Sequence, residues 1–115
     1  MQIIAQDVGE VVVLYISGEL SRLHIDGPTL HQAVRSQLDQ GRRSILLHLE
    51  KVDFIDSWGV GEILASYTST QNLGGKIRLA QISRKLDFVL MVTGLKRVLE
   101  VFDNETAALQ SFAKP

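Results

Sequence analysis

Ile45-Leu46-Leu47-His48-Leu49, then Phe54-Ile55-Asp56-Ser57-Trp58-Gly59-Val60-Gly61, then Glu62-Ile63-Leu64 is the stretch on which the fold turns. Its first part is nearly all apolar, the pattern of a buried strand. Its last part returns to helical spacing. Between them a short connection ends in Asp56-Ser57. Such residues favour a helix start, because a side-chain oxygen can accept an unpaired backbone N–H there. A hydroxyl at this corner sits at the positive end of the helix dipole, where an anion is held electrostatically.

Working outward, Ile3-Ile4-Ala5 and Val11–Ile16 are β-branched runs separated by Asp7-Val8-Gly9-Glu10, a hairpin pattern. Gly18-Glu19-Leu20-Ser21 is expected to leave the second strand. Gly27-Pro28 places proline in the first turn of a helix carrying Leu30, Ala33, Val34 and Leu38 inward, with Gly41 as its stop. Ser57 opens the second helix, with Val60, Ile63, Leu64 and Tyr67 as its inner stripe and Gly74-Gly75 at its end. Lys76–Ala80 alternates as a strand with one apolar face. Ser83 caps a third helix with Leu86, Val89 and Leu90, which Gly94 stops. Val98–Phe102 reads as a short strand or extended piece, and Asn104 caps a last helix with Ala108 and Phe112 inward. Strands alternating with helices predict an α/β fold with an open sheet and right-handed crossovers, of four to five strands and four helices.

The 115 residues suit one domain, 1–115. Apolar and charged fractions are those of an ordinary globular chain. Twelve basic and 13 acidic residues leave a net charge of −1, and no Lys/Arg cluster exceeds a pair. Nucleic acid is therefore a poor partner. With no cysteine, disulfides, thiolate metal sites and cysteine nucleophiles are excluded. The longest apolar run, Val11–Ile16, is far short of the ~20 residues of a membrane span, and the first residues lack a signal-peptide pattern. The expectation is a soluble, cytoplasmic protein.

Ser57 has two readings. It can be a helix N-cap, worth about 1 kcal/mol, or a phosphorylation site whose added charge the helix N-terminus tolerates. Asp56 can be a second cap or can orient the hydroxyl, and its carboxylate would repel a phosphate beside it. Gly59 and Gly61 fall in the first helical turn, where each costs about 1 kcal/mol relative to alanine. They serve either close packing on the sheet or a bare surface against which a partner presses. Trp58 is either packed under a loop or an exposed interface anchor. At 100° per residue it falls about 200° from Val60, which points it away from the sheet.

The enzyme readings fail. No Gly-x-Ser-x-Gly elbow surrounds Ser57. His24, His31 and His48 have no spacing that selects a base for it, and His48 reads as a half-buried structural residue in a strand. No cluster has metal-ligand spacing. Gly74-Gly75-Lys76 lacks the rest of a phosphate loop. No cofactor is expected.

Four segments in order resemble the STAS domain family, and within it the small stand-alone anti-sigma factor antagonists of bacteria. They are Gly18-Glu19-Leu20; Phe54-Ile55-Asp56-Ser57 with Gly59-Val60-Gly61; Gly74-Gly75-Lys76-Ile77; and Thr93-Gly94-Leu95 followed by Val101-Phe102 and Glu105-Thr106-Ala107-Ala108. The resemblance implies a STAS-type mixed, mostly parallel sheet and a partner switch. The unphosphorylated protein would bind an anti-sigma factor that is also a serine kinase and so release a sigma factor. Phosphorylation of Ser57 would break the complex, and a serine phosphatase would reset it. ATP or ADP would belong to the kinase. The partner surface implied is Asp56, Trp58, Gly59 and Gly61 with Glu19 and Ser21. Trp58, Ser21 and His48 stand where the family usually has a small residue, an acidic residue and Asp. The same resemblance covers two alternatives: a scaffold subunit of a stressosome-type complex, and a non-switching subunit of a lipid-transport system.

Overall fold

A computed structural model describes residues 1–24 and 27–113. Its five strands are β1 (Gln2–Val8), β2 (Val11–Leu20), β3 (Ser44–Ile55), β4 (Lys76–Ala80) and β5 (Val101–Phe102). They lie side by side in chain order. β1 and β2 form the expected antiparallel hairpin, with Val8 opposite Val11, and the three remaining pairings are parallel. The fold is thus the mixed, mostly parallel α/β sheet that the sequence implied.

The helices are α1 (Leu30–Asp39), α2 (Ser57–Asn72), α3 (Arg84–Val92) and α4 (Glu105–Ala113). A sheet that grows in one direction through right-handed crossovers must place every crossover helix on the same face. α1, α2 and α3 accordingly share one core with the sheet. Leu30, Val34 and Leu38, Ile63, and Leu86 and Leu90 meet Leu14, Ile45, Leu47 and Leu79 there. α4 follows the last strand and folds onto the opposite face, where Ala108 packs with Val11, Val13, Leu46 and Ala80. This double cover explains why Val11–Leu14 and Ile45–Leu47 are apolar at every position.

Several boundaries differ from expectation, each for a tertiary reason. β2 continues through Gly18-Glu19-Leu20, and β3 continues to Ile55, where a short connection was expected. The two extensions pair with each other beyond register shifts near Tyr15 and Gly18. α1 starts after Pro28, because Thr29 is its cap. The Thr29 hydroxyl accepts from Gln32 N–H, and the Gln32 side chain accepts from Thr29 N–H. β4 is covered on both faces: Arg78 is buried, with its guanidinium over the Phe112 ring and paired to Glu100. Residues 95–97 form a 3-10 turn (Leu95–Arg97), so β5 keeps only Val101 and Phe102. The Ser83 cap, accepting from Leu86 N–H at 3.1 Å, and the Asn104 cap, accepting from Ala107 N–H at 2.8 Å, form as read.

Candidate functional site

β3 ends at Ile55, and Asp56 turns the chain into α2 with extended backbone angles (φ −112°, ψ −176°). Asp56, not Ser57, is the N-cap. Its Oδ1 accepts the Gly59 N–H at 2.9 Å, and its carbonyl accepts the Val60 N–H at 3.0 Å. Its second oxygen, Oδ2, accepts the Arg22 N–H at 3.1 Å. One carboxylate therefore joins the start of α2 to the 3-10 turn Arg22–His24 that follows β2. The Gly59 N–H is the main cause that holds the Asp56 carboxyl below the usual carboxylate range; the N–H groups of Arg22, Asp56 itself and Trp58 add to it. The group is an anion at neutral pH.

Because Asp56 caps the helix, Ser57 is released from that task. It occupies the first helical position and is exposed. Its hydroxyl makes no hydrogen bond among the described residues. The capping reading of Ser57 is thus corrected by one position, and the correction leaves the hydroxyl free for chemistry at the positive end of α2.

The phase of α2 also differs from expectation. Its buried residues are Gly59, Ile63, Ser66 and Thr70. Val60 and Tyr67 flank this stripe, and Leu64, expected inside, is exposed. Trp58 therefore lies about 110° from the buried centre rather than opposite it. It is partly buried, not fully solvated. The two glycines separate. A Cβ on Gly59 would run into the Leu20 carbonyl oxygen and lie 2.8 Å from Ile55 Cγ1, so Gly59 serves close packing of helix on strand. Gly61 is exposed, and a Cβ there would meet nothing within 4 Å. The outward face reads Ser57, Gly61, Leu64, Thr68, a stripe at helical spacing.

Of the residues expected at a partner surface, Asp56, Trp58 and Gly61 surround Ser57. Glu19 is partly buried in β2. Ser21 is corrected: it is 2% exposed, and its hydroxyl accepts the Leu23 N–H at 3.2 Å, so it shapes the turn from inside. Leu23, which the sequence reading passed over, is 88% exposed on that turn. Its signal would have been an apolar residue just after a strand exit, which composition alone does not distinguish from core.

His31 and His48 are structural ties. His31 Nε2 lies 2.8 Å from Ser69 Oγ, and the His31 N–H donates to Glu62, which joins α1 to α2. His48, half-buried as expected, packs against Tyr15 with the two rings tilted at 38°, and its Nε2 lies 3.0 Å from Gln81 Oε1. The His24 side chain is outside the described residues. Among the described residues, no three His, Cys, Asp or Glu side chains could hold a metal ion, and no helix is long and apolar enough to cross a membrane.

Known proteins agree with this geometry. An anti-sigma F factor antagonist from Paenibacillus polymyxa is 32% identical over 104 residues, covering 86% of this chain and 84% of its own. The anti-sigma-B factor antagonist of Bacillus subtilis is 24% identical over 83% of this chain and 84% of its own. A Thermotoga maritima crystal structure, described as a putative anti-sigma factor antagonist, superposes with a TM-score of 0.84 at 26% identity, covering 97% of this chain and 95% of its own. The STAS domain model matches residues 2–108. With the strand order, the corner and these matches in agreement, the chain belongs to the STAS domain family.

Proposed function

We propose that this protein is an anti-sigma factor antagonist: a regulatory binding module, not an enzyme, that works through Ser57. Unphosphorylated, it binds an anti-sigma factor that is also a serine kinase and so frees a sigma factor. The kinase transfers the ATP γ-phosphoryl group to the Ser57 oxygen; ADP leaves, and the hydroxyl proton passes to solvent. A serine phosphatase restores the hydroxyl. The observation that carries this reading is the capping by Asp56, which leaves an exposed serine hydroxyl unbonded at a helix start. The relatives described as anti-sigma factor antagonists support it.

The physical basis of the switch is local charge. Asp56 already places one negative charge at the corner. A phosphate adds about −1.5 to −2 more. The α2 dipole holds that charge in the free protein, whereas a partner packed over Ser57, Gly61 and Leu64 would have to desolvate it. The fold survives phosphorylation and the complex does not.

A pull-down from native lysate, with and without ATP, tests the proposal. The expected result is a small ATPase-fold kinase held by wild type and by Ser57→Ala, released by ATP only from wild type, and not held by Ser57→Asp. ATP-dependent modification mapped to a serine other than Ser57 would overturn it.

A further inference from the structure

α3 is apolar on both sides. Leu86 and Leu90 are buried against the sheet, yet Phe88, Met91 and Val92 on the outer side are 58%, 56% and 61% exposed. A surface helix is expected to carry polar residues outward; one that is apolar all round is a helix that something covers.

Charge describes the cover. The segment 83–98 holds four cations, Arg84, Lys85, Lys96 and Arg97, against one carboxylate, Asp87, which pairs with Lys96. Its net charge is +3 in a chain of net −1, so the rest of the protein carries −4. Arg84 and Lys85 occupy the first turn of α3, where the helix dipole opposes positive charge. No ion pair joins Arg84, Lys85 or Arg97 to another described residue; Lys85 only rests over the Phe54 ring at 4.8 Å. Arg84 and Lys85 thus stand beside the apolar face at the start of α3, without an ion pair among the described residues.

A second copy of the same face is a poor fit, because each copy would bring a net charge of +3 to the contact. A protein partner confined to this face is also a poor fit. Nine residues of helix cover on the order of 140 Å² (~14 by ~10 Å), against ~800 Å² per partner in a standard interface. A bilayer needs neither a matching socket nor a large area: shallow apolar insertion and basic contacts with anionic headgroups add together. We infer that the outer face of α3, with Phe88, Met91 and Val92 framed by Arg84, Lys85 and Arg97, docks on an anionic lipid surface.

Flotation of the full chain with vesicles tests this. Vesicles of equal parts phosphatidylglycerol and phosphatidylcholine are expected to carry the protein at low salt, to release it as salt rises, and to leave it behind when made of phosphatidylcholine alone. Lys85→Glu with Arg97→Glu is expected to weaken binding at least roughly tenfold, since each basic residue near such a surface counts for about a factor of five. Phe88→Ser with Met91→Ser is expected to abolish binding with an unchanged circular dichroism spectrum, because both side chains are outside the core. Wild type that fails to float even with pure phosphatidylglycerol at low salt overturns the inference. So does a Phe88→Ser/Met91→Ser protein that floats like wild type, which would mark diffuse charge attraction. Wild type that ignores vesicles but binds poly-L-glutamate through Phe88 would assign the face to an acidic protein, and the lipid docking would fall.

Discussion

Gly59 and Gly61 sit two residues apart in one helical turn and carry opposite burdens. A Cβ at 59 overlaps the Leu20 carbonyl and forces α2 away from β2. Gly59→Ala is expected to destabilise the fold by about 2–3 kcal/mol through overpacking, read as a lower denaturant midpoint. Gly61→Ala meets open space and replaces a poor helix former, so it is expected to gain up to about 1 kcal/mol. The same change raises a methyl group between Ser57 and Leu64, so partner affinity is expected to fall as stability rises. Equal binding by Gly61→Ala and wild type would show that no partner presses there.

Asp56 gives a second test at this scale. Asn keeps the shape but replaces one acceptor oxygen with a donor. Either the Gly59 or the Arg22 N–H then faces another donor. Asp56→Asn is expected to speed amide exchange at Gly59 or at Arg22. The acid dependence has a definite sign. The folded carboxyl is held below its ordinary value, so its stabilising effect is present above the unfolded value near 3.8 and fades as pH falls through the folded one. Wild-type stability is expected to drop more steeply below pH 4 than that of Asp56→Asn.

Residue chemistry at this corner was legible in the sequence, and its geometry was only partly so. Asp-Ser after an apolar strand announces a helix start. Which of the two leaves helical backbone angles first, and so becomes the cap, depends on where β3 ends. That in turn depends on its pairing with β2. An inner stripe that starts at Val60 points Trp58 outward. The centre lies on Gly59 and on two hydroxyl residues, Ser66 and Thr70. Those two bury their polar atoms by donating to the carbonyls four residues earlier, at 2.7 and 2.8 Å. A polarity-based reading of α2 could not see that face as internal.

Among the elements, α4 is held to the sheet by polar ties as well as packing. The Tyr15 hydroxyl donates to Glu105 at 2.6 Å, and His48 lies 3.8 Å from the same carboxylate oxygen. The hydrogen bond to Glu105, aided by burial and by the carboxylate's charge, raises the Tyr15 phenol to about 12. A phenol raised in the folded state favours folding while it is protonated. Its contribution is complete below the unfolded value near 10 and is lost as pH climbs through about 12. Tyr15→Phe is expected to cost about 1 kcal/mol and to remove this alkaline step. Ultraviolet titration of wild type is expected to show one tyrosine ionising late. The sequence offered Tyr15 and Glu105 ninety residues apart, with nothing to say that β2 and the start of α4 converge. By contrast the hairpin, the three crossovers and the Ser83 and Asn104 caps were readable, because short-range pattern and turn chemistry decide them.

For the molecule as a whole, the proposed switch requires that the sheet hold the fold without help from Ser57. Ser57 is exposed and its hydroxyl makes no hydrogen bond among the described residues, so a charge placed on it is expected to leave the melting temperature within a few degrees of wild type while partner binding is lost. Thermal melts of Ser57→Asp beside wild type check this. A large drop would mean that the corner supports the fold and cannot act as a neutral switch. Gly59→Ala is the control that does lower it.

The side-by-side order of the strands has a consequence for how the chain is made. Each new strand pairs with the one before it, so no segment waits for a partner still to be synthesised. A ribosome releasing this chain can lay down the hairpin, then β3, then β4, with each crossover helix covering the face just completed. The two-residue β5 and α4 arrive last and close the second face. Until they emerge, Val13 and Leu46 stay open to water. A nascent chain stalled or truncated before α4 is therefore expected to become prone to aggregate at this uncovered face, not at the Ser57 corner.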